Sequence, residues 1–170
     1  MEYRKIQKNY QSHSKRAIWT RWVVIGLLLI TTILDFFTFA IEPKFWVYDL
    51  SPLVVLTKNI IILFSVKFLV VGLLIFMLLK KSYDNDYMRY LWILCAVYLI
   101  FAQGLGAVNN RQVAEANPDP IKNPPPPPKE MAKIGFNFAL IYAYYPFIFS
   151  MLSFFLWNWG WRKNVPMHKL

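Results

Sequence analysis

Apolar and polar positions divide the chain into four long apolar runs separated by polar stretches: residues 22–41, 53–79, 90–108 and 134–161. Each is close to or above the roughly 20 mainly apolar residues that a helix needs to cross a bilayer. The competing reading is four buried core helices of a soluble protein. Runs of this length would leave such a protein almost no polar surface to present to water. The pattern therefore predicts an all-α integral membrane four-helix bundle. The first run reads as a retained span and not as a cleaved leader. It follows a polar segment, residues 1–21, it contains Asp35, and no small-x-small cleavage pattern comes after it.

Composition agrees with this reading. Of the 170 residues, 57% are apolar and 16% charged, against about 25% charged in ordinary soluble domains. Cys95 is the single cysteine, and the two histidines, His13 and His168, lie near the chain ends. A disulfide framework and a multi-thiolate metal centre are thereby excluded. The spans contain one carboxylate and no histidine, too few ligands for copper, di-iron or bis-histidine haem sites. No nucleotide-binding, zinc-protease or hydrolase motif occurs. The expectation is no catalytic residue, no metal and no cofactor.

Charge placement predicts an orientation. Arg4, Lys5, Lys8, Lys15, Arg16, Arg21, Lys80, Lys81, Arg89, Arg162, Lys163 and Lys169 lie on one side, twelve of the 19 basic residues. Lys44, Arg111, Lys122, Lys129 and Lys133 lie on the other. The positive-inside rule then puts both termini in the cytoplasm, and the cell (inner) membrane is the expected location. Trp19, Trp22, Trp92, Trp157, Trp159 and Trp161 fall at the inner span ends, where indole rings favour the headgroup level. The net charge of +10 is accounted for by anionic headgroups, with no nucleic acid required. Residues 1–21 read as a basic leader lying on that surface.

The loops carry one further signal. The outer connection, residues 109–133, contains five consecutive prolines, Pro124, Pro125, Pro126, Pro127 and Pro128. They fix φ and lack amide donors, so they predict a polyproline II rod about 15 Å long. It reads either as a stiff spacer or as a strip on which a partner docks. The remaining loops, 42–52 and 80–89, are short and make consecutive helices antiparallel neighbours. Pro146, mid-way through the fourth run, predicts a kink.

Ionisable groups inside a membrane are costly and each needs an account. Asp35 lies six residues before the end of the first run and Lys58 five after the start of the second. Both sit about 8–9 Å below the outer boundary at 1.5 Å per residue, so an Asp35–Lys58 ion pair is expected. Thr38, Asn59, Gln103 and Asn137 reach a similar level and complete a candidate polar cluster. Interhelical hydrogen bonding is one reading of it, and a cavity for an ion or small solute is the other. Lys67 falls near the middle of the second run, half a turn away from Lys58. It reads as an isolated charge, with Tyr98 and Tyr145 as neighbours at its depth, and serves either as a satisfied lysine or as a relay group.

Leu34-Asp35-Phe36-Phe37-Thr38, Ser51-Pro52, Lys67 and Asn109-Asn110 together resemble a prokaryotic family of small uncharacterised polytopic membrane proteins, over roughly residues 22–110. The chain departs from that pattern at Asp49-Leu50-Ser51-Pro52, where the family would have a Glu and an Asn-Pro pair. It also adds the proline-rich loop and a fourth span. The resemblance implies an architecture and no activity. Two functional expectations remain. One is an accessory or structural subunit held by other membrane subunits or by copies of itself. The other is a small oligomeric transporter or channel using Asp35, Lys58 and Lys67.

Overall fold

The computed structural model describes residues 2–41, 59–80, 86–116, 122 and 145–162. These residues form four helical elements, and no strand occurs among them. They are α1 (Glu2–Ile41), α2 (Ile60–Leu79), α3 (Asp86–Ala116) and α4 (residues 145–161). Three of them contain stretches long and apolar enough to cross a membrane, Lys15–Thr38, Ile61–Leu79 and Tyr87–Gln112. The protein is an all-helical, multi-pass membrane protein.

Its helices are held by the solvent as much as by propensity. The segment Ile60-Ile61-Ile62 and the pair Val70-Val71 of α2 are β-branched, a composition that slightly disfavours helix in water. In hydrocarbon each backbone N–H and C=O must bond within its own segment, and the helix does this. Polar residues mark where α2 begins and ends. Asn59 Oδ1 accepts the Ile61 amide at 2.9 Å as the N-cap, and the Lys80 amide closes the last turn onto the Phe76 carbonyl at 3.0 Å.

Two boundaries differ from the expected ones. α1 runs unbroken through the basic leader for 40 residues, about 60 Å, twice a bilayer's hydrocarbon core. The leader is helical and continuous with the first span. The connection expected from residue 109 begins later, because α3 persists to Ala116. Polarity at Asn109-Asn110 ends the apolar stretch without ending the helix. Arg111 and Glu115 bridge one turn at 2.8 Å, and Pro118 is the first residue that opposes helix, acting also on Asn117 before it.

Residue pairings give the directions of the helices. Thr31, Thr32 and Thr38 of α1 meet Gln103 and Asn110 of α3 at sequence separations of 71–72, so these two helices run parallel. α2 is antiparallel to α1, as Phe36 meets Phe64 and Phe68 with centroids 4.9 and 5.9 Å apart, while Leu28, two turns earlier on α1, packs with Val71 and Leu74 further along α2. α4 is antiparallel to α3, since Tyr98 meets Phe149 and Tyr90 meets Trp157. α1 packs chiefly against α3 and against the end of α4. Val24, Ile25, Ile93, Ala96, Val97, Leu78, Phe149 and Trp161 form the buried core. Outward positions such as Ile61, Leu69, Phe76, Phe147 and Phe155 stay exposed and apolar, as lipid-facing positions do.

The last turn of α4, Trp157–Trp161, is π-helical and closes with the Arg162 amide on the Trp157 carbonyl at 2.7 Å. Pro146 stands at the start of the described part of α4. The kink expected there involves residues outside the described ones.

Candidate functional site

A polar seam runs between α1 and α3 and reaches α2. Asp35 follows Thr31 and Thr32 by four and three residues, and Thr38 follows Asp35 by three, so they lie on one side of α1. Gln103, Gly106 and Asn110 do the same on α3. Parallel packing then sets the two rows beside each other level by level.

Asp35 is at the centre. Its side chain is 6% exposed, and Oδ2 accepts from Lys67 Nζ of α2 at 2.7 Å. Among the described residues Asp35 pairs with Lys67, which corrects the expected isolation of Lys67. The error lay in the helix start. Depth counted from residue 53 puts Lys67 mid-span, but α2 begins at Ile60. Counted from there, Lys67 is seven residues in, about 10 Å, which matches Asp35 at six residues before Ile41. Lys58 precedes the cap and lies outside the described residues. The Lys67 ammonium also stands 5.6 Å from the Phe64 ring, a cation–π distance. Tyr98 does not serve Lys67; it packs edge-on against Phe149 of α4 with centroids 5.4 Å apart, and Tyr145 stacks on the same ring.

The second carboxylate oxygen of Asp35 faces the α3 backbone at Gly106. A Cβ added there would sit 2.9 Å from Oδ1 and 3.7 Å from Cγ. Glycine at this position is what lets the carboxylate lie between the two helices. Gly104, one position off this face, would meet only Thr31 Cγ2 at 3.9 Å.

One turn away, Gln103 is 4% exposed and its Oε1 lies 3.2 Å from Thr31 Oγ1 and 2.9 Å from Thr32 Oγ1. The Thr31 hydroxyl also has the Leu27 carbonyl at 2.9 Å, and the Thr32 hydroxyl has that of Leu28 at 2.6 Å. A hydroxyl has a single hydrogen. If the carbonyls take it, the hydroxyl oxygens can only accept, and the amide group facing them is Nε2. Turning the Gln103 amide over satisfies both hydroxyls and replaces a buried orphan donor, Nε2, with a carbonyl oxygen. At the far end of the seam, Thr38 Oγ1 donates to the Leu34 carbonyl at 2.9 Å and accepts from Asn110 Nδ2 at 3.4 Å.

The structure thus brings together Asp35, Thr38, Gln103 and Lys67 from the expected set. Asn59 acts as the α2 N-cap. Asn137 and Pro124–Pro128 lie outside the described residues. Thr31, Thr32, Gly106 and Asn110 were missed as site residues. Their signal was available in the spacing of small and polar residues along the first and third runs. Among the described residues, no group of three side chains is placed to hold a metal ion.

Chemically, the seam holds one negative and one positive charge in contact, flanked by neutral hydrogen bonds. It fixes the register of three helices. Comparison with protein-family models, with curated proteins and with solved structures finds no match, so the functional reading rests on these residues.

Proposed function

We propose that the protein is a non-catalytic accessory subunit of a larger membrane assembly, with both termini on the cytoplasmic side. The observation that carries this reading is the Asp35–Lys67 contact at 2.7 Å. It uses two intramembrane charges to join α1 to α2, against a glycine of α3, and so commits them to holding the bundle together. The apolar outward faces of α1, α2 and α4 suit lipid and neighbouring helices alike. The twelve-to-five distribution of Lys and Arg supports the orientation.

Native mass measurement after gentle extraction from the source membrane tests the proposal. A second chain in fixed stoichiometry is the expected result, and a lone 20.1 kDa species overturns it. Orientation is tested separately, by replacing Cys95 with serine and labelling single cysteines near each terminus with an impermeant maleimide. Labelling of either terminus from outside intact cells overturns that part.

A second reading, an oligomeric transporter or channel, draws support from the Lys67 side chain, which is 29% exposed beside the sealed Asp35. Liposome flux in Lys67→Met distinguishes the two. A flux that falls with this substitution favours transport, and the absence of flux in the wild-type protein removes it.

A further inference from the structure

The opposite end of the bundle from the Asp35 seam is built around arginine. Three guanidinium groups lie against the three indoles of a single π-helical turn. Arg16 Cζ is 5.9 Å from the Trp159 ring, Arg21 Cζ is 5.4 Å from Trp161, and Arg162 Cζ is 5.8 Å from Trp157. The turn is held against α1 by the close approach of Gly160 to Thr20. This turn thus has arginines of α1 and the arginine that follows α4 beside its indoles. None of Arg16, Arg21 and Arg162 has a carboxylate partner among the described residues. By the offset of 71–72 residues between α1 and α3, Arg89 of α3 lies towards the same end of the bundle.

We propose that this end is a binding site for an anionic phosphate group, seated on Arg16, Arg21 and Arg162 between α1 and α4 and supplied by the headgroup of an anionic phospholipid. A guanidinium held at cation–π distance from an indole makes no hydrogen bond to the ring, so its N–H groups remain for a planar acceptor, and arginine binds phosphate through two such bonds. Arg21 Nε and Trp157 Nε1 are buried donors with no acceptor among the described residues. A phosphate oxygen arriving at this turn gives such donors one. Depth favours lipid over free phosphate. Trp19 and Trp22 are exposed on α1 beside Arg21, and exposed indoles favour the level of the headgroups. Basic pockets between spans at this level are suited to anionic headgroups.

The test uses the full chain in a neutral detergent and reads its thermal unfolding midpoint during titration with phosphatidylglycerol, phosphatidylcholine or inorganic phosphate. The expected result is a saturable rise with phosphatidylglycerol that neither of the others produces at equal concentration. In R16Q/R21Q/R162Q that rise shifts to at least tenfold higher lipid, whereas K80Q/K81Q, also basic and near the same surface, leaves it in place. Because the triple variant can fail to fold, R162Q at the exposed position is measured as well, with bound lipid counted by native mass spectrometry; fewer phosphatidylglycerol molecules retained than in the wild type is expected. An equal rise with phosphatidylcholine, an unchanged response in the arginine variants, or an equal loss in K80Q/K81Q overturns the site. A rise with inorganic phosphate alone overturns its assignment to lipid.

Discussion

Asp35 on α1 and Lys67 on α2 are joined at 2.7 Å, the carboxylate sealed and the ammonium partly open. Removing either partner leaves a charge in a medium that solvates it poorly. Lys67→Met or Asp35→Asn is expected to lower stability by about 3 kcal/mol, the low end of the range for breaking a buried pair, because Lys67 retains some access. Asp35→Asn combined with Lys67→Met should recover most of that loss, as no charge is then stranded. Thermal unfolding in detergent followed by circular dichroism measures all three. A double variant as unstable as the sum of the singles would show that the two residues act independently.

Much of this arrangement could be read from residue order, and the part that could not has a definite cause. The apolar runs at 22–41, 53–79 and 90–108 each overlap a helical span, since lipid leaves backbone polar groups no other solution. Asp35, Thr38 and Gln103 were expected to share a level, and they share a seam. The pairing failed at Lys67 because apolar composition does not locate a helix start. Leu53 through Thr57 read as span, while the cap is Asn59. A shift of about two turns brings Lys67 to the level of Asp35. The extent of the α1–α3 contact was less legible, because short loops point to sequence neighbours and say little about how closely non-consecutive helices pack.

Gly106 and Gly72 should respond in opposite directions to the same substitution. Gly106→Ala drives a Cβ to 2.9 Å from Asp35 Oδ1, and that oxygen cannot retreat while Oδ2 holds Lys67. A loss of about 1–3 kcal/mol is expected, the usual cost of overpacking. At Gly72 a Cβ meets nothing within 4 Å, so Gly72→Ala should stabilise by roughly 0.5–1 kcal/mol through backbone entropy. Parallel melts of the two variants check both signs. Asp35→Ala should relieve the Gly106→Ala clash, and a failure to do so would place the strain elsewhere.

Gln103 is as buried as Asp35, yet its removal should be mild. Thr31 and Thr32 keep the Leu27 and Leu28 carbonyls as acceptors when the amide is gone. Gln103→Met also removes a polar atom left without a partner. The expected change is within about 1 kcal/mol, in line with interhelical hydrogen bonds in membranes. A much larger loss of stability in that variant would mean the amide has a partner that neither threonine supplies.

Gly160 is the position where the α1–α4 contact should be least tolerant. A Cβ there would overlap Thr20 Oγ1 and stand 2.7 Å from Thr20 Cβ. Thr20 is buried, and its hydroxyl is tied to the Arg16 carbonyl at 2.9 Å. It cannot rotate the contact away, because Cβ is fixed by the backbone. Gly160→Ala must therefore push the π-helical turn off α1, separating Arg16 from Trp159 and Arg21 from Trp161. A loss of about 1–3 kcal/mol is expected from the overpacking, with tryptophan emission moving to longer wavelength as the indoles meet water. Gly26→Ala, where a Cβ meets nothing within 4 Å, is the matched substitution on α1 and should leave the emission unchanged. Thr20→Gly in the Gly160→Ala background removes the opposing Cβ and should return the emission towards that of the wild type. If it does not, steric exclusion at this crossing is not what seats the turn.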